Sequence, residues 1–175
     1  LIKSGEIESQ IDQLTKQIND HLTKLTTTSL TQESATKAIN IIRVSSELEE
    51  ASDAAYQLIK LSPIGHDDSY DFDEFLQTRL NQIISLTEKS LNLTKTNLLG
   101  PIEKNLINNA TKYRNSIVSI IIEMDQYLLK GEKEKDFQNY YPLILGVTSQ
   151  LKKITTHCLY SVQAASGQIN EHEID

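Results

Sequence analysis

The stretch I-E-S-Q-I-D-Q-L-T-K-Q-I-N-D-H-L-T-K-L, Ile7 to Leu25, decides the fold class. Its large aliphatic residues are Ile7, Ile11, Leu14, Ile18, Leu22 and Leu25, spaced four, three, four, four and three apart. A helix turns once every ~3.6 residues, so this spacing lines one helical face with apolar side chains; a half-buried strand would alternate every second residue. The same period returns four times. It runs through Ile41, Val44, Leu48, Ala51, Ala55, Leu58 and Ile59, then through Phe72, Phe75 or Leu76, Leu80, Ile83, Leu86 and Leu91. It resumes in Ile102, Leu106, Tyr113, Ile117, Ile120, Met124 and Leu128, and again in Phe137, Tyr140, Leu143 or Ile144, Val147, Leu151, Ile154, Cys158 and Val162. No stretch of period two is long enough for a sheet.

Glycine and proline punctuate this pattern, with only 6 Gly and 3 Pro in the chain. The first helix runs out in Leu25-Thr26-Thr27-Thr28-Ser29, where hydroxyl side chains compete with helical hydrogen bonds. Thr31 can cap the second, which Pro63 and Gly65 stop. Asp71 followed by Glu74 forms a capping-box pattern for the third. Pro101 suits the first position of the fourth, Gly131 closes it, and Pro142 either starts or kinks the fifth. Gly167 ends the last helix before a polar tail. Five helices of about 25 to 33 residues, each about 35–50 Å long, with short connections predict an all-α, elongated antiparallel helical bundle. The bundle is expected over 1–166, with a tail at 167–175. The pair Gly5–Leu61 resembles the pair Pro101–Gly167 in outline, which suggests two three-helix units with the opening helix of the first one missing. On that reading the first unit spans 1–62, a linker 63–70 and the second unit 71–166.

At 175 residues and 38% hydrophobic, the chain fits one domain with a core of its own. The net charge of −7 and the pI near 5.1 argue against binding to nucleic acid, which needs a basic stripe against phosphates. They also disfavour docking on anionic lipid. Cys158 is the single cysteine, so no intramolecular disulfide forms, and a reducing compartment suits it. The longest apolar run, Ile117 to Met124, is broken by Ser119 and Glu123, well short of the ~20 residues that span a bilayer. The chain starts at Leu1 without Met and reads as an excised fragment.

Chemistry concentrates in the first two helices. Glu49 and Asp53 lie four apart in Arg43-Val44-Ser45-Ser46-Glu47-Leu48-Glu49-Glu50-Ala51-Ser52-Asp53, and so do Glu8 and Asp12 in the first helix. That spacing puts both carboxylates of each pair on one helical face. Antiparallel neighbours would bring all four together, and carboxylates on facing helices are how bundles hold hard or borderline cations.

These two stretches resemble the motifs of PhoU-like domains, whose helices read "I-x-R/K" leading into "D/N-L-E-R-I-G-D", preceded by a helix with "E-x-x-I-D-x-L". The similarity is strongest to the C-terminal cytoplasmic domain of bacterial sodium/phosphate cotransporter family proteins. About twenty residues carry it as motif, and all five helices carry it as pattern. The resemblance implies tandem three-helix units and a metal cluster of iron, zinc or manganese. Carried over by position, the ligands would be Glu8, Asp12, Glu49 and Asp53, with Glu47 at the family's other acidic position. Glu50-Ala51-Ser52 replaces the family's Arg-Ile-Gly. In the second unit Gln150, Lys152 and Thr156 stand where acids would be, and Asn108/Lys112 or Ala110/Arg114 occupy the preceding helix, so a second cluster is not expected.

The implied function is non-enzymatic. It is a regulatory domain on the cytoplasmic side of the bacterial inner membrane, controlling sodium-dependent phosphate transport through contacts with the transmembrane portion of its own transporter. A stand-alone phosphate-uptake regulator, acting as adaptor between a phosphate ABC transporter and a sensor kinase, is the alternative, and a generic helical interaction bundle is a third. No Glu-x-x-His pair of a di-iron enzyme, phosphate loop or nucleophile triad is present. His66, Asp67, Asp68, Asp71 and Asp73 lack calcium-loop spacing and read better as helix capping. His157 and Cys158 are adjacent and face different directions, and Cys158 continues an apolar stripe. If the opening helix is missing, an apolar groove stays exposed, and a weak homodimer is expected to cover it.

Overall fold

A computed structural model describes residues 2–65, 72–98, 104–130 and 137–167. Its five helices are α1 (Ile2–Thr26), α2 (Gln32–Gly65), α3 (Glu74–Asn97), α4 (Lys104–Lys130) and α5 (Phe137–Ala165). No strand occurs among the described residues, and the chain is an all-α helical bundle.

Local chemistry sets the helix ends. The hydroxyls of Thr26, Thr27 and Thr28 each donate to the carbonyl three residues earlier, at 2.8, 2.7 and 2.7 Å, taking up acceptors that a continuing helix would use. Thr31 Oγ1 accepts the Ser34 N–H at 3.2 Å and opens α2 as expected. Gly167, at φ +73, ends α5 by donating its N–H to the Ala164 carbonyl at 3.1 Å.

Other boundaries differ from the sequence expectation. Asp73, rather than Asp71, caps α3: its extended backbone aims a carboxylate oxygen at the Leu76 N–H, 2.8 Å away. Tyr127 of α4 donates its hydroxyl to the other oxygen of Asp73 at 2.5 Å, so the cap also ties α3 to α4. Asp71 lies outside the described residues, as do Pro101 and Gly131. Pro63 does not stop α2, which continues to Gly65. A missing N–H near the end of a helix forfeits one hydrogen bond, a small loss against its packing. The expected linker at 63–70 is therefore helical at 63–65. Of the two placements open for Pro142, the helix does not begin there: α5 starts at Phe137 and Pro142 lies within it.

Three helices build the main core. α3, α4 and α5 each touch the other two, and Leu76, Ile83, Ile117, Met124, Leu128, Ile144 and Leu151 fill the space between them. Arg79 meets Glu123 at 2.9 Å while Asp73 meets Tyr127, so α3 and α4 run antiparallel. Thr155 Oγ1 lies 3.3 Å from Thr87 Oγ1, and Cys158 contacts Thr94 and Ser90, so α3 and α5 run parallel. α2 packs antiparallel on the other side of α5, where Ala54 meets Ile154 and Cys158. A Cβ on Gly146 would come within 3.1 Å of the Leu61 side chain, so the bare glycine makes room for Leu61 of α2 against α5. α1 touches α2 alone among the helices and contains no buried residue.

This layout separates stability from attachment. Ile83→Ala, at a fully buried position, should lower unfolding free energy by about 2–4 kcal/mol in urea titration. Leu14→Ala, on the exposed side of α1, should change it by less than about 0.5 kcal/mol in the monomer.

Candidate functional site

The antiparallel α1/α2 hairpin has a defined register. Asn19 accepts the Ser45 hydroxyl at 3.1 Å near one end, and Gly5 lies against the Tyr56 ring near the other. Between these points Glu8 and Asp12 of α1 and Asp53 of α2 each bring a carboxylate oxygen within 4.8 Å of the others. Glu49, one turn before Asp53, lines the same groove with Asp12, Thr15, Lys16, Asn19 and Asp20, beside the close trio rather than in it. Three of the four carboxylates expected at the site thus converge, and the fourth borders it.

Glu47, at the further acidic position that the resemblance points to beside these four, goes elsewhere. It projects toward α5, where its Oε2 lies 2.9 Å from Nδ1 of His157 in a largely buried cross-helix pair. The helical period explains the divergence: residues two apart point to opposite sides, so Glu47 and Glu49 cannot share a neighbour. Tyr160 meets the His157 ring edge-on at 6.1 Å between centroids. Sequence reading missed this pair because nothing local links residues 110 positions apart. It also missed Lys16, although a lysine four residues after Asp12 was a readable signal for a cation at the groove.

The electrostatics of the cluster are strained. Burial pushes the Glu49 carboxyl above the usual carboxylate range, and Asp53, Glu50, Asp12 and Glu8 push the same way. Asp53 is raised by burial first and then by Asp12 and Glu50, with Lys60 opposing. Its Oδ1 is buried without a hydrogen-bond partner. A carboxylate with one buried, unpaired oxygen, standing beside two further carboxylates, is an unfavourable arrangement unless a cation or a proton compensates it. Oxygen-only donors of this kind fit a hard or borderline divalent cation.

The positions of α5 aligned with Glu49 and Asp53 carry no carboxylate. Lys152 is exposed, and the Thr156 hydroxyl donates to the Lys152 carbonyl at 2.8 Å. Among the described residues, Glu8, Asp12 and Asp53 form the one such group of potential ligands. Cys158 is buried, and that burial pushes its thiol up while Thr94 and Ser90 pull it down, so it packs as core. Asp73 is a helix cap, and His66, Asp67 and Asp68 lie outside the described residues.

Comparison with protein families, with curated proteins and with solved structures finds no match. No helix among the described residues is long and apolar enough to cross a membrane.

The raised carboxyls carry a pH signature. A carboxyl whose folded pKa exceeds its unfolded value favours the fold at low pH, and that contribution is lost as pH rises through the folded value. In metal-free buffer, Asp53→Asn should therefore stabilise the protein at neutral pH by a few tenths to about 1 kcal/mol, given solvent screening at a partly exposed site. The difference between mutant and parent in thermal melts should shrink as pH falls toward 4, the ordinary range of a carboxylate. A mutant less stable than the parent at neutral pH would contradict this account.

Proposed function

We propose that this bundle is a non-enzymatic regulatory module of the PhoU-like kind, the cytoplasmic domain of a sodium/phosphate symporter. The single observation that carries the reading is the meeting of Glu8, Asp12 and Asp53 across two helices, on positions that a resemblance in sequence had singled out. The unmatched three-helix unit beside a two-helix hairpin fits the same tandem layout. The intended partner is the transmembrane portion of its own transporter on the inner face of the membrane. Regulation works by differential contact: the bundle shifts the transporter between states only as far as it binds one better than the other.

In this reading Glu8, Asp12 and Asp53 hold iron, zinc or manganese, and Glu49 supplies a further oxygen at the edge. Such a cation neutralises the mutual repulsion of the carboxylates. Because α1 packs on α2 alone and buries no residue, linking the two helices through their carboxylates secures the least anchored helix of the bundle. Lys16 at the groove limits how much positive charge the site accepts.

Elemental analysis by ICP-MS, after loading with iron, zinc or manganese and desalting, tests the reading. Stoichiometric metal in the parent and its loss in Asp53→Ala is the expected result. Metal at a hundred times its dissociation constant should also add about 2.7 kcal/mol of stability, and it should slow amide exchange in α1 more than in α4. Metal retained by the mutant, or none bound by the parent, would remove the support and leave a helical interaction bundle.

A further inference from the structure

The carboxylates occupy one flank of the α1/α2 hairpin, and the opposite flank is apolar and exposed among the described residues. With helical side chains advancing about 100° per residue, Ile7, Leu14, Ile18 and Leu25 fall on one side of α1, away from Glu8 and Asp12. Ile41, Leu48 and Ile59 fall on the matching side of α2, away from Asp53. All seven are exposed, from 38% at Ile18 to 57% at Leu14.

The repeat within the chain identifies what this flank resembles. Setting Glu49 against Lys152 and Asp53 against Thr156 also sets Ile41, Leu48, Ser52, Ala55 and Ile59 of α2 against Ile144, Leu151, Thr155, Cys158 and Val162 of α5. That row of α5 is where α3 packs: Ile144 and Leu151 share a core with Leu76 and Ile83, Thr155 touches Thr87, and Cys158 touches Thr94 and Ser90. α2 therefore carries the receptor surface for an α3-like helix running parallel to it, with nothing in place. The exposed stripe of α1 has the required ligand pattern. Ile7, Leu14, Ile18 and Leu25 repeat the spacing of Leu76, Ile83, Thr87 and Thr94, at seven, four and seven.

We infer that the occupant is a second copy of this chain, joined about a two-fold axis through antiparallel α1 helices. A perpendicular two-fold makes α1 of the partner subunit run parallel to α2, the direction α3 takes along α5. The α3 template sets Leu14 of the partner subunit beside Leu48, and the hairpin's own register, bracketed by Asn19–Ser45 and Gly5–Tyr56, sets Leu14 level with Leu48 too. The axis then passes between the two Leu14 side chains, near the middle of the stripe. Sizes agree: Ser52 and Ala55 are smaller than Thr155 and Cys158, which leaves room for Ile18 and Leu25 in place of Thr87 and Thr94. Charges agree as well. On the outer edge of this stripe Glu6 stands at one end and Lys24 at the other, with Gln10, Gln13 and Gln17 between. An antiparallel pair about Leu14 brings Glu6 to within two positions, about 3 Å along the helix, of Lys24 of the partner subunit on both sides of the axis, within reach of their side chains, whereas a parallel pair would set like charges together.

The test is sedimentation velocity of the full chain in EDTA across micromolar to millimolar concentrations, so that failure here leaves the metal reading untouched. A monomer–dimer equilibrium is expected. Leu14→Glu should weaken it more than about tenfold with unchanged helicity, because Leu14 is exposed in the monomer. Glu6→Lys or Lys24→Glu alone should weaken it about fivefold, and the two together should restore it. Under mild oxidation Leu14→Cys should form a disulfide-linked dimer, while Leu25→Cys, at opposite ends of the pair, should not. A monomer at all concentrations, a dimer indifferent to Leu14→Glu, no rescue by the charge swap, or crosslinking through position 25 instead of 14 would each overturn the inference.

Discussion

Burial of α5 between α2 on one side and the α3/α4 pair on another is the constraint on which the rest of the molecule depends. One side of α5, through Ile144 and Leu151, completes the three-helix core with α3 and α4. Another, through Ile154 and Cys158, receives Ala54 of α2. The small Ala54 side chain packs directly on α5 there, and the bare Gly146 backbone receives Leu61 of α2 further along. The buried threonines of this helix satisfy their hydroxyls by donating to their own backbone, Thr148 to Ile144 at 2.9 Å and Thr155 to Leu151 at 3.0 Å.

Stability and interaction are consequently unequal along the chain. Dense apolar burial lies in α3, α4 and α5, whereas α1 adheres to one helix through a half-buried strip. The cluster of carboxylates sits at that weaker junction. Repulsion among Glu8, Asp12, Glu49 and Asp53 opposes the α1–α2 contact, so any compensating cation acts where the fold is least committed. The cross-helix pair Glu47–His157 serves the opposite purpose on the other side of α2, fixing its register on α5.

Much of this was legible because it rests on local periodicity. Five apolar periods became five helices, and Thr31 and Gly167 mark helix ends for reasons of hydrogen bonding and backbone conformation that act within a few residues. Glu8, Asp12 and Asp53 could be singled out because carboxylates four apart share a helical face. Boundaries were less legible where tertiary contact competes with a local signal. Asp73 rather than Asp71 caps α3, and it is also the one that Tyr127 reaches from α4. Pro63 was overridden because packing along a helix of 34 residues outweighs one lost hydrogen bond.

The sequence by itself determined the helical class, the approximate extent of each helix and the acidic character of the first two, since these follow from side-chain spacing and charge. Only the tertiary structure decided which acids meet. Helical period keeps Glu47 off the face of Glu49 and Asp53, but which face turns to α1 and which to His157 depends on how α2 is rotated between α1 and α5. That rotation is set by the fit of Ala54, Leu58 and Tyr56 against neighbours far away in the chain. It is a packing outcome, and periodicity along one helix contains no information about the angle at which another helix will seat.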